Sequence, residues 1–568
     1  MVATVPTKSA HVLSSGRVAS TPDLAYFRRR YPETVANFGT LPRREDWLRR
    51  IWETETRWRA AWETHGGEHT LAEAVVRGAP PAGRVAEAEF DVIYAGGAVA
   101  LLHAAALACG HKRRVLCIGG AAACEGAGGV WNLSDEELRE LEGAGLFTRA
   151  EVEAAVLNRY RGGFVKFHDA SSRIKAEPLW VSGSMDVAVD GERLLALAAE
   201  RLRRAGPEGC AVLEGLRFVR AYVEPSRVTV EAEGTAGARR FFAARLFVDA
   251  SGADSPVARQ LNGGGRASAS SSHVRPAVGT VARGFARGEG RDAADFGVGE
   301  ILVSTEDASA HRQLLWEGLA GSAARGDYTT RLFFHDTTDS PADKSLLALF
   351  ERYFESLPAY KRRGAGWRVD RPLFGYAHAA REGWRSRGRA ACDRVMLVGE
   401  AAGEAGAFAP RGVGAHVREL RRTARLTDTA LKAGAADADT LARICEGGAA
   451  QVARAVGLSQ FMRPARDAAP HSVNETLNAL MAALGGLDER VRREVFQGRM
   501  SAGALRRLFA RTARLYPRIF ARVREHFGAR GTLWWLAGVA EAVWSERRSR
   551  AVSRGTASAD ASADAEED

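Results

Sequence analysis

The apolar positions of this chain fall into short runs separated by small-residue turns. Residues 90–94, Phe90-Asp91-Val92-Ile93-Tyr94, form an apolar run that predicts a buried parallel strand. Ala95-Gly96-Gly97-Ala98 follows as a tight turn. The Ala/Leu-rich stretch 101–109 predicts a helix stopped at Gly110. Residues 113–118 are a second apolar strand. Strand, glycine turn, helix and strand make the opening half of a dinucleotide-binding fold. Gly96 and Gly97 let the backbone approach a pyrophosphate, and the helix N-terminus supplies free N–H groups. Laid over the glycine fingerprint, the turn reads Ala95-x-Gly97-x-x-Ala100; Ala is tolerated at the last position and weakens the first. The acid expected after the second strand is replaced by Gly119-Gly120, and Glu125 comes later. Alone, this unit reads equally as a plain βαβ unit with a small-residue turn.

Two further turns change that balance. Residues 193–203 predict an amphipathic helix, and 212–216, 218–223 and 227–233 predict short strands. The apolar run 241–247 then leads into Val248-Asp249-Ala250-Ser251-Gly252. A third run, 394–398, ends in Gly399-Glu400, followed by Pro410-Arg411-Gly412-Val413-Gly414 ahead of a helix. In flavoprotein folds such an acid binds the ribityl chain, and such a helix N-terminus lies near the isoalloxazine ring. Each turn alone is equally a polar strand end. Together and in this order they point to FAD, with Gly96, Gly97, Ala100, Asp249, Gly252, Gly399, Glu400, Pro410, Gly412 and Gly414 as the expected contacts. Between the first two turns, Ser134 and Glu137 have capping-box spacing, which holds Trp131-Asn132 at the start of a helix.

The flanks are helical. Residues 22–65 carry aromatics at helix-like spacing, a stripe that packs on the main domain or, less favoured, touches a membrane or greasy substrate. The expected organisation is α/β: an N-terminal helical extension and linker (1–85) and an FAD-binding Rossmann-like domain (86–435). An interleaved β-sheet substrate domain (about 164–245 and 270–390) sits inside the latter. A helical C-terminal region (436–550) and a disordered acidic tail (551–568) follow. The apolar stretch 533–540, with Trp534 and Trp535 and flanking Arg530, Arg547, Arg548 and Arg550, suits a membrane interface or a helix packed on the core.

The chain has 568 residues and a formal net charge of +11, carried almost wholly by Arg. That balance reflects either genome composition or an anionic partner such as a lipid headgroup layer. No nucleic-acid motif is present. The six cysteines include no CxxC pair, so a disulfide framework or zinc site is not expected. No apolar run reaches the ~18 residues of a membrane span. The N-terminal stretch, acid-free until Asp23, resembles a transit peptide.

With the three turns placed, the chain resembles the FAD-dependent oxygenase, reductase and cyclase superfamily, and within it the Cru-type (CruA/CruP) lycopene cyclases. The resemblance runs from about Asp46 to Trp544. It rests on Trp131-Asn132-Leu133-Ser134, the turn from Val248-Asp249-Ala250 to Ser255-Pro256, Val278-Gly279-Thr280 and Gly284-Phe285-Ala286. Ile301-Leu302-Val303-Ser304, Leu315-Trp316-Glu317, Leu373-Phe374-Gly375-Tyr376 and Val398-Gly399-Glu400 complete the set. Three positions depart from the family pattern: Gly119 replaces the acid, Gly126-Ala127-Gly128-Gly129 replaces an Arg/Glu-rich segment, and Glu400 replaces an Asp.

The resemblance implies acid-initiated cyclisation of lycopene ends to β-ionone rings without net redox change. FAD would act in its reduced form, with NAD(P)H as a possible reductant. The substrate would be lycopene or a related linear carotenoid, and the protein would sit peripherally on a membrane. That membrane is in a plastid for a photosynthetic eukaryote and faces the cytoplasm for a bacterium. Such chemistry needs a carboxylic acid kept neutral by an apolar pocket, a wall that stabilises a cation, and exclusion of water. Glu317, after the apolar run 314–316, is the candidate proton donor; its other reading is a solvated strand-end Glu. The competing readings are a redox flavoenzyme of the same fold, a monooxygenase or isoprenoid reductase, and a non-catalytic carotenoid-binding paralogue with a decayed FAD site.

Overall fold

The computed structural model describes residues 22–62, 73–119, 129–205, 209–234, 237–252, 255–263, 273–288, 290–379, 389–402, 413–445, 456–465 and 467–563. The apolar run at 90–94 forms the strand Glu89–Gly96 at the heart of a nine-stranded mixed sheet. On one side it pairs in parallel with Val115–Ile118, and on the other with Arg239–Ala250. Val395–Leu397 pairs in parallel with the far end of Arg239–Ala250. The ends of the three runs singled out in the sequence therefore meet at one edge of one sheet.

Alternating residues of these strands feed two cores. Val92, Tyr94, Val115, Cys117, Leu246, Val248 and Met396 face the helices Ala98–His111, Gly191–Ala205 and Val413–Ala433. Ile93, Leu116, Phe247, Val395 and Leu397 face the opposite side. The first helix is longer than the sequence suggests. It runs from Ala98 to His111 and ends at Lys112 in the left-handed conformation, φ 55°. Gly110 is therefore inside the last turn, because the Lys112 N–H closes the helix onto Leu107 and Ala108.

The second sheet has eight strands, with Leu315–Ala320, Asp327–Phe333 and His273–Phe285 adjacent in it, whereas Leu216–Val223 and Val228–Gly234, expected with the interleaved sheet, join the first sheet. One face packs on the helix Leu346–Tyr360 and on the N-terminal helices Leu24–Arg30, Pro32–Asn37 and Arg44–Trp62. Phe27, Phe38, Leu48 and Ile51 are buried there, so these positions of the N-terminal stripe are core. The other face, at Val165, Leu179, Ile301, Leu315 and Phe333, meets the C-terminal helices. The last helix, Ile519–Ala563, breaks at Gly528 (φ 68°, ψ 174°) and continues into the segment expected to be a disordered tail.

A charged pair lies within the N-terminal side of the second sheet. The Lys361 ammonium is fully buried, 2.5 Å from the Glu300 carboxylate and 2.8 Å from the Ala293 carbonyl. Burial pushes the Glu300 carboxyl up, and Lys361 opposes that shift. Removing one partner strands a charge in the core. Lys361→Met should therefore cost about 3–5 kcal/mol in denaturant unfolding, and the double variant Lys361→Met/Glu300→Leu should recover most of it. Equal losses for the single and double variants would refute the pairing.

Candidate functional site

The site is built where the three strand ends converge. Gly96 has φ 133°, and a Cβ there would lie 2.2 Å from the Ala250 carbonyl oxygen. Only glycine lets the first strand end this close to its neighbour. Gly97 is the N-cap of the helix Ala98–His111, and among the described residues no side chain caps it. The N–H groups of this helix start are thus left for a ligand or water, the arrangement that binds phosphate at a helix N-terminus. Ala100 is fully buried in the helix, where its small side chain serves close helix–sheet packing.

Asp249 lies at the end of the second strand, where the structure shows it bracing its own turn. It is fully buried. Its Oδ1 accepts from the Ser251 N–H at 2.8 Å and the Ser251 hydroxyl at 2.5 Å, and its Oδ2 accepts from the Ser255 hydroxyl at 2.7 Å. The Ser255 hydroxyl in turn accepts from the Ala258 N–H at the start of the helix Pro256–Gly263. Three hydrogen bonds thus engage the Asp249 carboxylate in bracing its own turn. Burial pushes the Asp249 carboxyl up, against those hydrogen bonds. The Asp249 carbonyl also accepts from the Val398 N–H at 3.0 Å, tying the third strand end to the second.

Gly252 (φ 84°) faces the third turn: a Cβ there would lie 3.8 Å from Glu400 Oε2. A Cβ on Gly399 (φ 69°) would lie 3.6 Å from Val99 and 3.8 Å from His416. Gly252, Gly399 and Glu400 are therefore brought together beside the open helix start. Gly414 has a packing reason instead. A Cβ there would come 2.7 Å from Glu137 Oε1, so the missing side chain lets the helix Val413–Ala433 rest on that carboxylate. Glu137 caps Ser134 through its N–H at 2.7 Å and pairs with buried Arg418. Burial pushes the Arg418 guanidinium down to about 10. Pro410, Gly412 and Glu125 lie outside the described residues. At the end of Val115–Ile118 the chain turns through Gly119, φ 96°, with no acid there to hold a ribose.

Glu317 sits on Leu315–Ala320, directly across from Arg331, whose guanidinium donates to it at 2.6 Å. Trp316 points the other way and stacks on Tyr360 at 4.5 Å. The expected environment was an apolar pocket holding a neutral acid. The observed one is an ion pair with Arg331. Arg331 carries no sequence signal of its own, because its role depends on strand register. Asn132 was noted only as part of a motif. Its Oδ1 is buried with no hydrogen-bond partner among the described residues, while neighbouring Trp131 packs so tightly that a Cβ on Gly191 would lie 2.4 Å from its ring.

No family model matches the chain, and no curated protein sequence matches it. Solved structures do. A variant of the halogenase PltM in complex with FAD is 13% identical, with 81% of this chain and 96% of that chain covered and a TM-score of 0.50. The geranylgeranyl bacteriochlorophyll reductase-like protein of Thermoplasma acidophilum is 14% identical over 77% of this chain and 99% of that one, TM-score 0.48. The fold is that of the FAD-binding, Rossmann-like flavoproteins. At these identities the likeness is one of fold.

If Asp249 braces its turn, Asp249→Asn should destabilise the protein without any added cofactor, by about 1–3 kcal/mol in denaturant unfolding. A residue whose sole partner is a cofactor would leave that measurement unchanged.

Proposed function

We propose that this chain is a flavin-dependent enzyme that binds FAD at the edge where the three turns meet. The observation that supports this best is the uncapped start of the helix Ala98–His111, set beside the Gly96–Ala250 approach and within the same edge as Gly252 and Glu400. Gly97 and the first N–H groups of the helix would hold the pyrophosphate, and Glu400 would accept from the ribityl chain. Asn132, whose buried Oδ1 lacks a partner among the described residues, is suited to accept a hydrogen bond from a ligand donor. Bound flavin supplies redox chemistry, or in its reduced form an electron-rich wall for a cation.

The finer reading is a lycopene cyclase-like protein forming β-rings by acid-initiated closure. It rests on the motif series from Trp131-Asn132 to Gly399-Glu400. The Glu317–Arg331 pair favours the second reading, a redox flavoenzyme of the same fold, because the carboxylate is engaged by a guanidinium instead of being enclosed in an apolar pocket.

Two measurements test these readings. Purified protein titrated with FAD should take up flavin absorbance and rise in melting temperature, a gain of about 2.7 kcal/mol at a hundredfold excess over Kd. Protein that stays colourless and unshifted at saturation would remove the flavin reading. Reduction of the bound flavin by NADH or NADPH is followed in the same cuvette.

Lycopene-accumulating cells then separate the chemistries. A cyclase yields a product isomeric with its substrate; a monooxygenase or reductase yields one with added oxygen or hydrogen. Given its ion pair, Glu317→Gln should keep product formation within about tenfold, below the ~10²–10⁴ that a general acid contributes. A loss of about 10²–10⁴ with normal flavin content would restore Glu317 as the donor.

A further inference from the structure

The C-terminal helix is apolar on both sides. Across residues 533–543 its charged side chain is Glu541 alone. The inner side, with Trp535, Val539, Ala542 and Val543, is packed into the core shared with the second sheet. Trp535 is buried, and its indole N–H donates to the Val456 carbonyl at 2.9 Å. The other side carries Leu533, 67% exposed, Leu536, 51% exposed, and Trp544, 58% exposed, with exposed Ala537 and Ala540 between them. Spacings of three and four place Leu533, Leu536, Ala540 and Trp544 on one stripe. Before the break at Gly528, Phe520 is 66% exposed as well. A helix already packed through one apolar side has no folding reason to present a second to water.

The same region is rich in arginine without acids to match. Arg506, Arg507 and Arg514 on the helix Ala502–Leu515, then Arg518, Arg524 and Arg530, are all exposed. Among the described residues none of these six has a carboxylate within ion-pair distance. Neighbouring Arg522, by contrast, pairs with Glu525 at 2.6 Å. Guanidinium groups bind phosphate bidentately, and leucine and tryptophan enter the headgroup–acyl boundary. An anionic bilayer satisfies both sets. No helix among the described residues is long and apolar enough to cross a membrane, so contact is at the interface.

We infer that the helices Ala502–Leu515 and Ile519–Ala563 dock this protein on a bilayer rich in anionic phospholipid. Phe520, Leu533, Leu536 and Trp544 enter the boundary region, and the unpaired arginines meet the phosphates. Trp535, read from sequence as part of the anchor, is instead the peg that fixes the helix to the core. This inference stands apart from the flavin reading, since vesicle binding is measured without cofactor.

The test is sedimentation of the full chain with vesicles. It should pellet with phosphatidylglycerol/phosphatidylcholine vesicles and stay in solution with phosphatidylcholine alone. Arg506→Gln/Arg507→Gln/Arg514→Gln/Arg518→Gln should weaken binding about fivefold per arginine. Leu533→Ser/Leu536→Ser should weaken it about tenfold or more, and the loss should persist at high salt, where charge is screened. All six positions are exposed, so melting temperatures should match the wild type and confirm folding. Wild-type protein left in solution with anionic vesicles, or binding unaffected by both variants, overturns the inference. So does a dimer that forms without vesicles and dissociates on Leu533→Ser/Leu536→Ser, which would make this face an interface between copies of the chain.

Discussion

The geometry of the site depends on one steric constraint, the absence of a side chain at Gly96. The strands Glu89–Gly96 and Arg239–Ala250 pair in parallel as far as Gly96 and Ala250, so their last residues lie side by side. A methyl group at Gly96 would overlap the Ala250 carbonyl by more than any rotation of that group could relieve. With glycine there, the first strand can turn directly into a helix whose open start faces the second strand end. The Asp249 carboxylate then fixes that second end from inside, and its backbone carbonyl holds Val398 of the third. Sterics permit the convergence; a buried carboxylate with three hydrogen bonds braces it. Such bracing suits a site that must hold a large cofactor in one orientation.

The second sheet divides its labour between faces. Trp316 and Glu317 are neighbours in sequence, yet pleating sends them to opposite sides. Trp316 enters an aromatic core with Tyr353 and Tyr360, above the buried Lys361–Glu300 pair. Glu317 meets Arg331 across the strands. Placing an arginine there gives the carboxylate a fixed partner within the sheet. Asn132, with a buried acceptor left unmet among the described residues, is the complementary feature. It is a cost to the folded chain alone, of the kind that a ligand can offset.

Much of the architecture was legible in the sequence because it follows local rules. The apolar run at 90–94, the small residues after it, and the capping box at Ser134 and Glu137 each encode their structure within a few residues. The three turns could be placed in order for the same reason: a strand that ends in glycine and an acid carries its own punctuation. The N-terminal aromatics showed helical period, and the fold shows that at Phe27 and Phe38 the period serves packing.

The sequence by itself determined the order of elements, the three turns and the apolar character of the last helix. Only the tertiary structure decided what individual polar groups do. Ser251 and Ser255 engage the oxygens of Asp249. Glu137 lies beneath Gly414. Strand register sets Arg331 opposite Glu317, and Trp535 is buried in the core. The reason is the same in each case. Backbone preference and apolar periodicity are set by near neighbours, whereas the charge state and role of a polar side chain are set by partners that only the folded chain brings within hydrogen-bonding range.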